Sequence, residues 1–160
     1  MRRIWASSLL SVLVIACAPM PGDSRGASDE VKAALEGYRT ALEGKDIAAI
    51  EQAFYQPIDS VTVIFLQATV NGKAIIDGMR GFFAADDSIH VIFRDVRIRV
   101  APSGDAAWVS LIEDGSELVN GKKEEWRGRR ATFGWLKQDG DWRIVQMHWS
   151  DVSPSATTKK

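Results

Sequence analysis

The chain has 160 residues, of which 46% are hydrophobic and 26% are charged, and this composition is typical of a globular protein with one core. Its 20 basic and 21 acidic residues are interspersed and give a net charge of -1, so the chain offers no basic field to a nucleic-acid backbone. We therefore expect one domain and no nucleic-acid partner.

The N-terminal stretch has the anatomy of an export signal. Two arginines precede an apolar run over residues 4–16, which is shorter than the roughly 20 residues of a membrane-spanning helix. The run closes with the residues VIAC, which resemble the bacterial lipobox, in which the cysteine carries a lipid and the peptide before it is removed. Cys17 is also the only cysteine, so it has no disulfide to form within the chain. We predict an exported lipoprotein, anchored to the membrane through Cys17 and facing the periplasm or the cell surface; the alternative is an ordinary secretory signal with an incidental cysteine.

Two more segments differ in composition from a folded domain. Residues 18–28 are rich in proline, glycine and small polar residues, which is typical of a flexible linker. Residues 153–160 are polar and are expected to form a disordered tail. With residues 1–17 as the signal peptide, the folded domain is predicted over residues 29–152.

Three amphipathic helices are predicted in the first half of this domain. Ser28 caps the first helix, whose apolar residues recur at spacings of three and four until Gly44 ends it. Asp46 caps a second helix, which stops before Pro57. A third helix over residues 73–84 places its large apolar side chains on one face.

Strand patterns precede the third helix at residues 61–66 and follow it to the end of the domain. The apolar phase shifts near Arg94-Asp95, which predicts a bulge, and turns are predicted at Asn120-Gly121 and at residues 138–140. The long strands are predicted at residues 89–100, 106–113, 125–137 and 142–150. The predicted fold is α+β, with three N-terminal helices packed on one face of a strongly curved antiparallel sheet.

The last predicted strand carries apolar side chains on both of its faces. Period two places Val145, Met147 and Trp149 on one face, and on the other Trp142, Ile144, Gln146 and His148. An antiparallel strand with one face in water alternates more cleanly between apolar and polar residues. We therefore expect helices, a pocket or a second subunit to cover each face, and we predict a homodimer.

Four motifs in chain order resemble the nuclear-transport-factor-2-like, or SnoaL-like, superfamily, and the resemblance covers residues 29–151. The motifs are YRTALEGKD at 38–46, GKAIIDGM at 72–79, GDAAWV at 104–109 and DGDWRIVQMHWS at 139–150. The closing strand is most similar to the subgroup that includes the association domain of calcium/calmodulin-dependent kinase II. The resemblance implies a cone-shaped, cystatin-like fold with a pocket between helices and sheet, usually in a dimer. Members range from ketosteroid isomerases and dehydratases to binding domains without a reaction, so the fold does not determine the function.

Tyr38 is the first candidate for chemistry. The resemblance implies that its spacing from Asp46 is that of the ketosteroid isomerase tyrosine that hydrogen-bonds the developing enolate, and a phenol in an apolar cavity can stabilise an oxyanion. The positions of the two aspartates of that isomerase correspond to about Ile64 and to Thr132 or Phe133 in this chain. Both aspartates are therefore missing. Without a carboxylate of raised pKa, proton abstraction has no base. The alternative is a core tyrosine whose hydroxyl is satisfied.

His148 is the second candidate, because histidine transfers protons near neutral pH. The alternative is a histidine that hydrogen-bonds across the sheet or at a dimer interface. The other histidine, His90, stands alone, and no cysteine or carboxylate lies at ligand spacing from either. We therefore expect no metal site and no cofactor.

Three arginines on the strand at 125–137 are the last candidates. Period two places Arg127 and Arg129 on one face and Arg130 on the other, so at least one faces the concave side, where it could clamp a carboxylate. The alternative is a surface role, with cross-strand pairing to acidic residues such as Glu113 and Asp114. The predicted pocket residues are Tyr38, Arg129, Arg130, Met147, His148 and Trp149.

The leading functional prediction is an exported, lipid-anchored domain that binds a small, mainly apolar molecule in its pocket, with no assigned reaction. One alternative is an enzyme, a lyase, isomerase or hydrolase, in which Tyr38 and His148 supply acid and base. The other is a non-catalytic dimeric association module. The missing aspartates favour binding over catalysis.

Overall fold

The computed structural model describes residues 24–65 and 68–151, without the side chains of residues 24, 86 and 87. This part of the chain contains helices α1 (Ser24–Glu43), α2 (Ile47–Ala53) and α3 (Gly72–Ala85), with a 3₁₀ helix at Ile58–Ser60. Its strands are β1 (Thr62–Phe65), β2 (Ala68–Asn71), β3 (Asp86–Val100), β4 (Ala106–Val119), β5 (Lys122–Gln138) and β6 (Asp141–Ser150).

Several predicted segments lie outside the described residues. They are the signal peptide with Cys17, the first part of the linker and the tail at 153–160. Within the described part, α1 begins at Ser24, so the end of the predicted linker is helical and the predicted cap, Ser28, lies inside the helix. No helix between residues 24 and 151, as far as they are described, is both long and apolar enough to cross a membrane.

Local signals position the starts of α2 and α3. The Asp46 carboxylate accepts a hydrogen bond from the Ala49 N–H at 3.0 Å, which confirms the predicted cap of α2. The Asn71 side chain accepts a hydrogen bond from the Ala74 N–H at 2.9 Å at the start of α3. Asn71 also ends β2, a four-residue strand that the sequence patterns do not predict.

The six strands form one sheet in the order β2-β1-β6-β5-β4-β3. All neighbours are antiparallel except β1 and β6, which run parallel, so the sheet is mixed. The three helices pack on one face of this curved sheet, and the predicted α+β fold is confirmed.

Register shifts set which side chains point toward the helices. The predicted bulge in β3 is confirmed, because the pairing slips between Arg94 and Arg97 and Asp95 has a φ of 52°. A second shift, where Gly134-Trp135 of β5 faces β6, leaves Val145 without a direct partner. This extra residue inverts the phase of the last strand.

The buried side chains of β6 therefore all face the helices. They are Trp142, Ile144, Met147 and Trp149, each at most 6% exposed. The prediction that the apolar residues of β6 divide between two faces is wrong, because it assumes an uninterrupted period of two. On the opposite face of the sheet the exposed apolar residues include Trp108, at 56%, and Ile92, at 45%.

The core lies between the helices and the concave face of the sheet. Helix α1 buries Val31, Leu35, Tyr38 and Leu42 along one stripe. Its C-terminal end is tied to the edge strand β3, because the Glu43 carboxylate accepts a hydrogen bond from the Val91 N–H at 3.0 Å. This contact fixes the part of α1 that forms one wall of the site described below.

A candidate binding pocket with a buried carboxylate

A cavity of about 420 Å³ lies between the C-terminal half of α1, helix α3 and the concave face of the sheet. Pockets that hold small molecules span about 300–1,000 Å³. Its wall is mostly apolar and includes Leu42, Ile75, Met79, Phe82, Phe83 and Val91. The lining residues with a hydroxyl or a charge are Tyr38, Glu113, Glu117 and Arg129.

The Tyr38 side chain is buried in this wall, with 1% of its surface exposed. Its ring packs against Phe133, at 6.0 Å between centroids, and against Phe54, at 6.3 Å. The hydroxyl has no hydrogen-bond partner among the described residues. Burial raises the pKa of Tyr38, and the Glu113 carboxylate raises it further, so the hydroxyl stays protonated. Tyr38 can therefore donate a hydrogen bond to a ligand oxygen.

Glu113 on β4 is a buried carboxylate in the same cavity, with 5% of its surface exposed. The indole N–H of Trp126 donates to its Oε1 at 2.9 Å, and the indole N–H of Trp149 donates to its Oε2 at 3.0 Å. Burial raises the pKa of Glu113, while the hydrogen bond from Trp149 and the charge of Arg129 act in the opposite direction. The cavity thus contains an acid–base group that the sequence prediction lacks.

Arg129 lies close to Glu113, with its Nη1 3.6 Å from Oε1. Its Nε donates to Oδ1 of Asp151 at 3.0 Å, just beyond the end of β6. The guanidinium also lies 5.5 Å from the ring centroid of Phe65 and 5.1 Å from that of Trp126. Two carboxylates and two aromatic rings therefore hold this cation in place.

A bulge in β5 brings Trp126 and Arg129 to the same face. In the register, Asp114 of β4 lies opposite two residues of β5, one of which is Gly128 with a φ of 71°. The Asp114 carboxylate accepts hydrogen bonds from Arg94 at 2.6 Å and from the Gly128 N–H at 2.7 Å. These contacts lower the pKa of Asp114 to about 2, so the group that holds the bulge is charged at neutral pH.

The bulge corrects the assignment of faces for the three arginines. Arg127 is directed into solvent, with 84% of its side chain exposed, whereas the Arg129 side chain is 18% exposed and reaches the cavity. The prediction that Arg127 and Arg129 share a face is wrong, because the extra residue breaks the period of two. Arg130 is exposed and lies outside the cavity lining.

Gly115 makes room for the Trp126 indole. The two residues lie opposite each other in β4 and β5, and a Cβ on Gly115 would lie 2.1 Å from Cζ2 of Trp126 and 2.7 Å from the carbonyl oxygen of His90. Real Cβ atoms do not approach so closely. The missing side chain therefore lets the indole lie across β4 and reach Glu113.

The structure brings together only some of the residues predicted for the pocket. Tyr38, Arg129 and Trp149 line the cavity. Met147 is buried in the core but is not part of the lining, and His148 lies opposite Thr132, on the other face of the sheet. His148 is therefore not placed beside Tyr38, and the roles assigned to these residues stay predictions.

Glu113 is the functional candidate that the sequence interpretation missed. The alternative interpretation of the arginines pairs them with Glu113 at the surface; Glu113 does lie opposite Arg129 across the strands, but its carboxylate is buried. A signal was present: Ala107, Val109 and Leu111 alternate inward on β4, and Glu113 continues their phase. In the described part of the chain, no group of three His, Cys, Asp or Glu side chains is arranged to hold a metal ion.

The family model described as the SnoaL-like domain matches residues 31–154 of this chain. The chain belongs to the SnoaL-like domain family. The resemblance noted in the sequence is thereby confirmed at the level of the family. No curated protein shows significant similarity to the chain.

Solved structures share the fold of this SnoaL-like domain at low sequence identity. An NTF2-like protein of unknown function from Pseudomonas putida KT2440 is 21% identical, with a TM-score of 0.69, over 86% of this chain and 95% of that chain. An NTF2-like superfamily protein from Salmonella enterica serovar Typhimurium is 18% identical, with a TM-score of 0.73, over 85% and 98%. A proposed dehydratase of the NTF2-like family from Streptomyces avermitilis is 18% identical, with a TM-score of 0.73, over 81% and 99%. Likeness at this identity establishes the fold alone.

Proposed function

We propose that this SnoaL-like domain binds a small, mainly apolar molecule in the cavity beside α1 and α3. The observation that carries the proposal is the Tyr38 hydroxyl, which is buried in a mostly apolar wall without a partner among the described residues. Buried polar groups are nearly always hydrogen-bonded, so an unpartnered one at a cavity points to a ligand atom. A ligand oxygen would satisfy it, and the apolar wall would hold the rest of the molecule.

Tyr38→Phe is expected to weaken the binding of an apolar ketone such as 2-acetylnaphthalene about three- to tenfold, because one neutral hydrogen bond is lost. Isothermal titration calorimetry measures the affinity. Tyr55→Phe is the matched control, since it removes the same hydroxyl from the other of the two tyrosines, which does not line the cavity. Equal losses in the two variants would contradict a ligand contact at Tyr38.

Catalysis is the second candidate function, and the buried carboxylate of Glu113 favours it. A carboxylate of raised pKa in an apolar cavity is suited to proton transfer, and the Tyr38 phenol could stabilise an oxyanion. In this version of a lyase, isomerase or hydrolase, Glu113 takes the place that the sequence interpretation gives to His148. The test is turnover of enones, epoxides and hydroxy-ketones by the wild type, Tyr38→Phe, Glu113→Gln and His148→Ala. Turnover that is lost in Tyr38→Phe and Glu113→Gln but retained in His148→Ala would establish that the protein is an enzyme.

The domain is further proposed to be exported and tethered to the membrane through a lipid on Cys17. The apolar run and the VIAC ending support this part of the proposal. We expect the mature protein to partition into detergent and to begin at Cys17, and we expect Cys17→Ala to abolish the partitioning. Detergent phase separation and mass spectrometry of the N-terminal peptide measure both. A water-soluble mature chain that begins at another residue would contradict the anchor.

A homodimer formed through the exposed face of the sheet is the remaining part of the proposal. Trp108, at 56% exposure, and Ile92, at 45%, support it, because large apolar side chains on a sheet face favour association. Light scattering on residues 24–160 measures the molecular mass. A monomer at micromolar concentration would rule out a stable dimer.

A further inference from the structure

The cavity is lined by more acidic than basic side chains, among the residues that the structure describes. Among the described residues that line it, Arg129 is the one cation, and Glu113 and Glu117 contribute two carboxylates. A third carboxylate, Asp151, accepts a hydrogen bond from Nε of Arg129 at 3.0 Å. Two carboxylates, those of Glu113 and Asp151, therefore share one guanidinium, so the charge of Arg129 does not neutralise both.

The arginine is also poorly placed to take up a carboxylate from a ligand. A bidentate clamp uses two neighbouring N–H groups of one guanidinium. Here Nε of Arg129 is engaged by Asp151, and Nη1 is directed toward Glu113 at 3.6 Å. The rings of Phe65 and Trp126 lie 5.5 Å and 5.1 Å from the guanidinium carbon, which limits how far it can turn.

The hydroxyl of Tyr38 is the polar group of the lining that the structure leaves without a partner, among the side chains it describes. Both oxygens of Glu113 already accept an indole N–H. A ligand that enters the cavity is therefore offered a donor by Tyr38 and a negative charge by Glu113. An acceptor without charge suits this pair, whereas an anion is repelled by the carboxylate.

We infer that the pocket selects an uncharged molecule that carries a hydrogen-bond acceptor, such as a ketone, ester or amide, on an apolar body, and that Glu113 excludes the corresponding carboxylates. The inference deepens the proposed binding function and rests on it. In this inference Arg129 supports Glu113 and does not capture an acidic ligand. The capture of a carboxylate is the role that the sequence analysis considers for an arginine on the concave face.

Two probes of nearly equal shape test the inference in the wild-type protein. 2-Acetylnaphthalene and 2-naphthoate differ by a methyl group in place of a charged oxygen, and calorimetry at pH 7.5 gives the affinity of each. We expect the ketone to bind at least about tenfold more tightly than the carboxylate, a difference of about 1.4 kcal/mol. Equal affinities, or tighter binding of 2-naphthoate, would overturn the inference while leaving the binding function intact.

A variant that removes the charge of Glu113 then tests whether this residue excludes carboxylates. Glu113→Gln is expected to narrow the ratio of the two affinities about tenfold, chiefly by tighter binding of 2-naphthoate. Glu51→Gln removes the same charge from an exposed side chain of α2 outside the lining and is expected to leave the ratio unchanged. A ratio that Glu113→Gln does not change would overturn the role of Glu113. Failure of both probes to bind the wild type would overturn the proposed binding function and the inference with it.

Discussion

Glu113→Ala is expected to lower the free energy of unfolding by about 3 kcal/mol. The carboxylate accepts hydrogen bonds from the indoles of Trp126 and Trp149 and faces the guanidinium of Arg129. Its removal leaves the buried indole of Trp149 and the half-buried indole of Trp126 without an acceptor, and it leaves the cation with Asp151 as its remaining acidic partner. Urea unfolding followed by circular dichroism measures the change.

Glu113→Gln is the matched variant for this prediction, because it keeps the shape of the side chain. The amide has one oxygen, so it can accept from one indole and presents an N–H₂ group to the other. We expect a loss between that of the alanine variant and zero. The exposed Glu51→Gln is expected to stay within about 0.5 kcal/mol of the wild type. An alanine variant as stable as the wild type would mean that burial of the carboxylate costs as much as its contacts contribute.

The stability of the wild type relative to Glu113→Gln is expected to depend on pH in one direction. Burial raises the folded-state pKa of Glu113 above that of the unfolded chain, about 4.3. The stability that comes from this raised pKa is therefore fully present below the unfolded-state pKa. It is lost as the pH rises through the folded-state pKa and the carboxyl loses its proton. The stability of the wild type relative to Glu113→Gln should fall across this window. A relative stability that rises with pH would contradict the raised pKa.

Gly115→Ala is expected to destabilise the fold by about 3 kcal/mol and to displace Trp126. The added Cβ would lie 2.1 Å from Cζ2 and 2.5 Å from Cε2 of the indole, so the ring must leave its place and lose its hydrogen bond to Glu113. Urea unfolding measures the stability, and tryptophan fluorescence reports the new environment of the indole.

Two further variants check the cause of this effect. Gly37→Ala is the control, because no atom lies within 4 Å of its added Cβ and alanine favours a helix interior, which stabilises by about 0.5–1 kcal/mol. In a Trp126→Ala background, Gly115→Ala should cost less than in the wild type, since the clashing ring is gone and only the contact with the His90 carbonyl oxygen, at 2.7 Å, remains. Additive losses in the double variant would show that the indole is not what Gly115 accommodates.

The element pattern was open to prediction because its signals are local. The cap of α2 at Asp46 needs only a carboxylate within reach of a neighbouring N–H. The turns at Asn120-Gly121 and Asp139-Gly140 need residues that adopt positive φ, and all four do so, at 51°, 75°, 55° and 92°. The bulge near Asp95 was visible as a shift in the apolar phase along one strand.

The site was only partly predictable, because its geometry depends on slips between strands. Tyr38 could be found from helix periodicity and from the family resemblance. The positions of Trp126 and Arg129 could not, since the bulge at Gly128 is held by Asp114 from another strand. The period of two then fails at Gly128, a residue that permits a bulge within a strand but does not require one.

Patterns along the chain predict the α+β class, most helix and strand positions and the inward stripe of α1, and four motifs carry the resemblance to the family. The class and the element positions follow from spacings of two, three and four residues and from turn residues, each of which acts over a few neighbours. Contacts between distant strands bury Glu113, bring Trp126 and Trp149 to it and turn His148 away from the cavity. One extra residue in a strand reverses the faces of those that follow, and a carboxylate is buried where partners from distant strands converge on it.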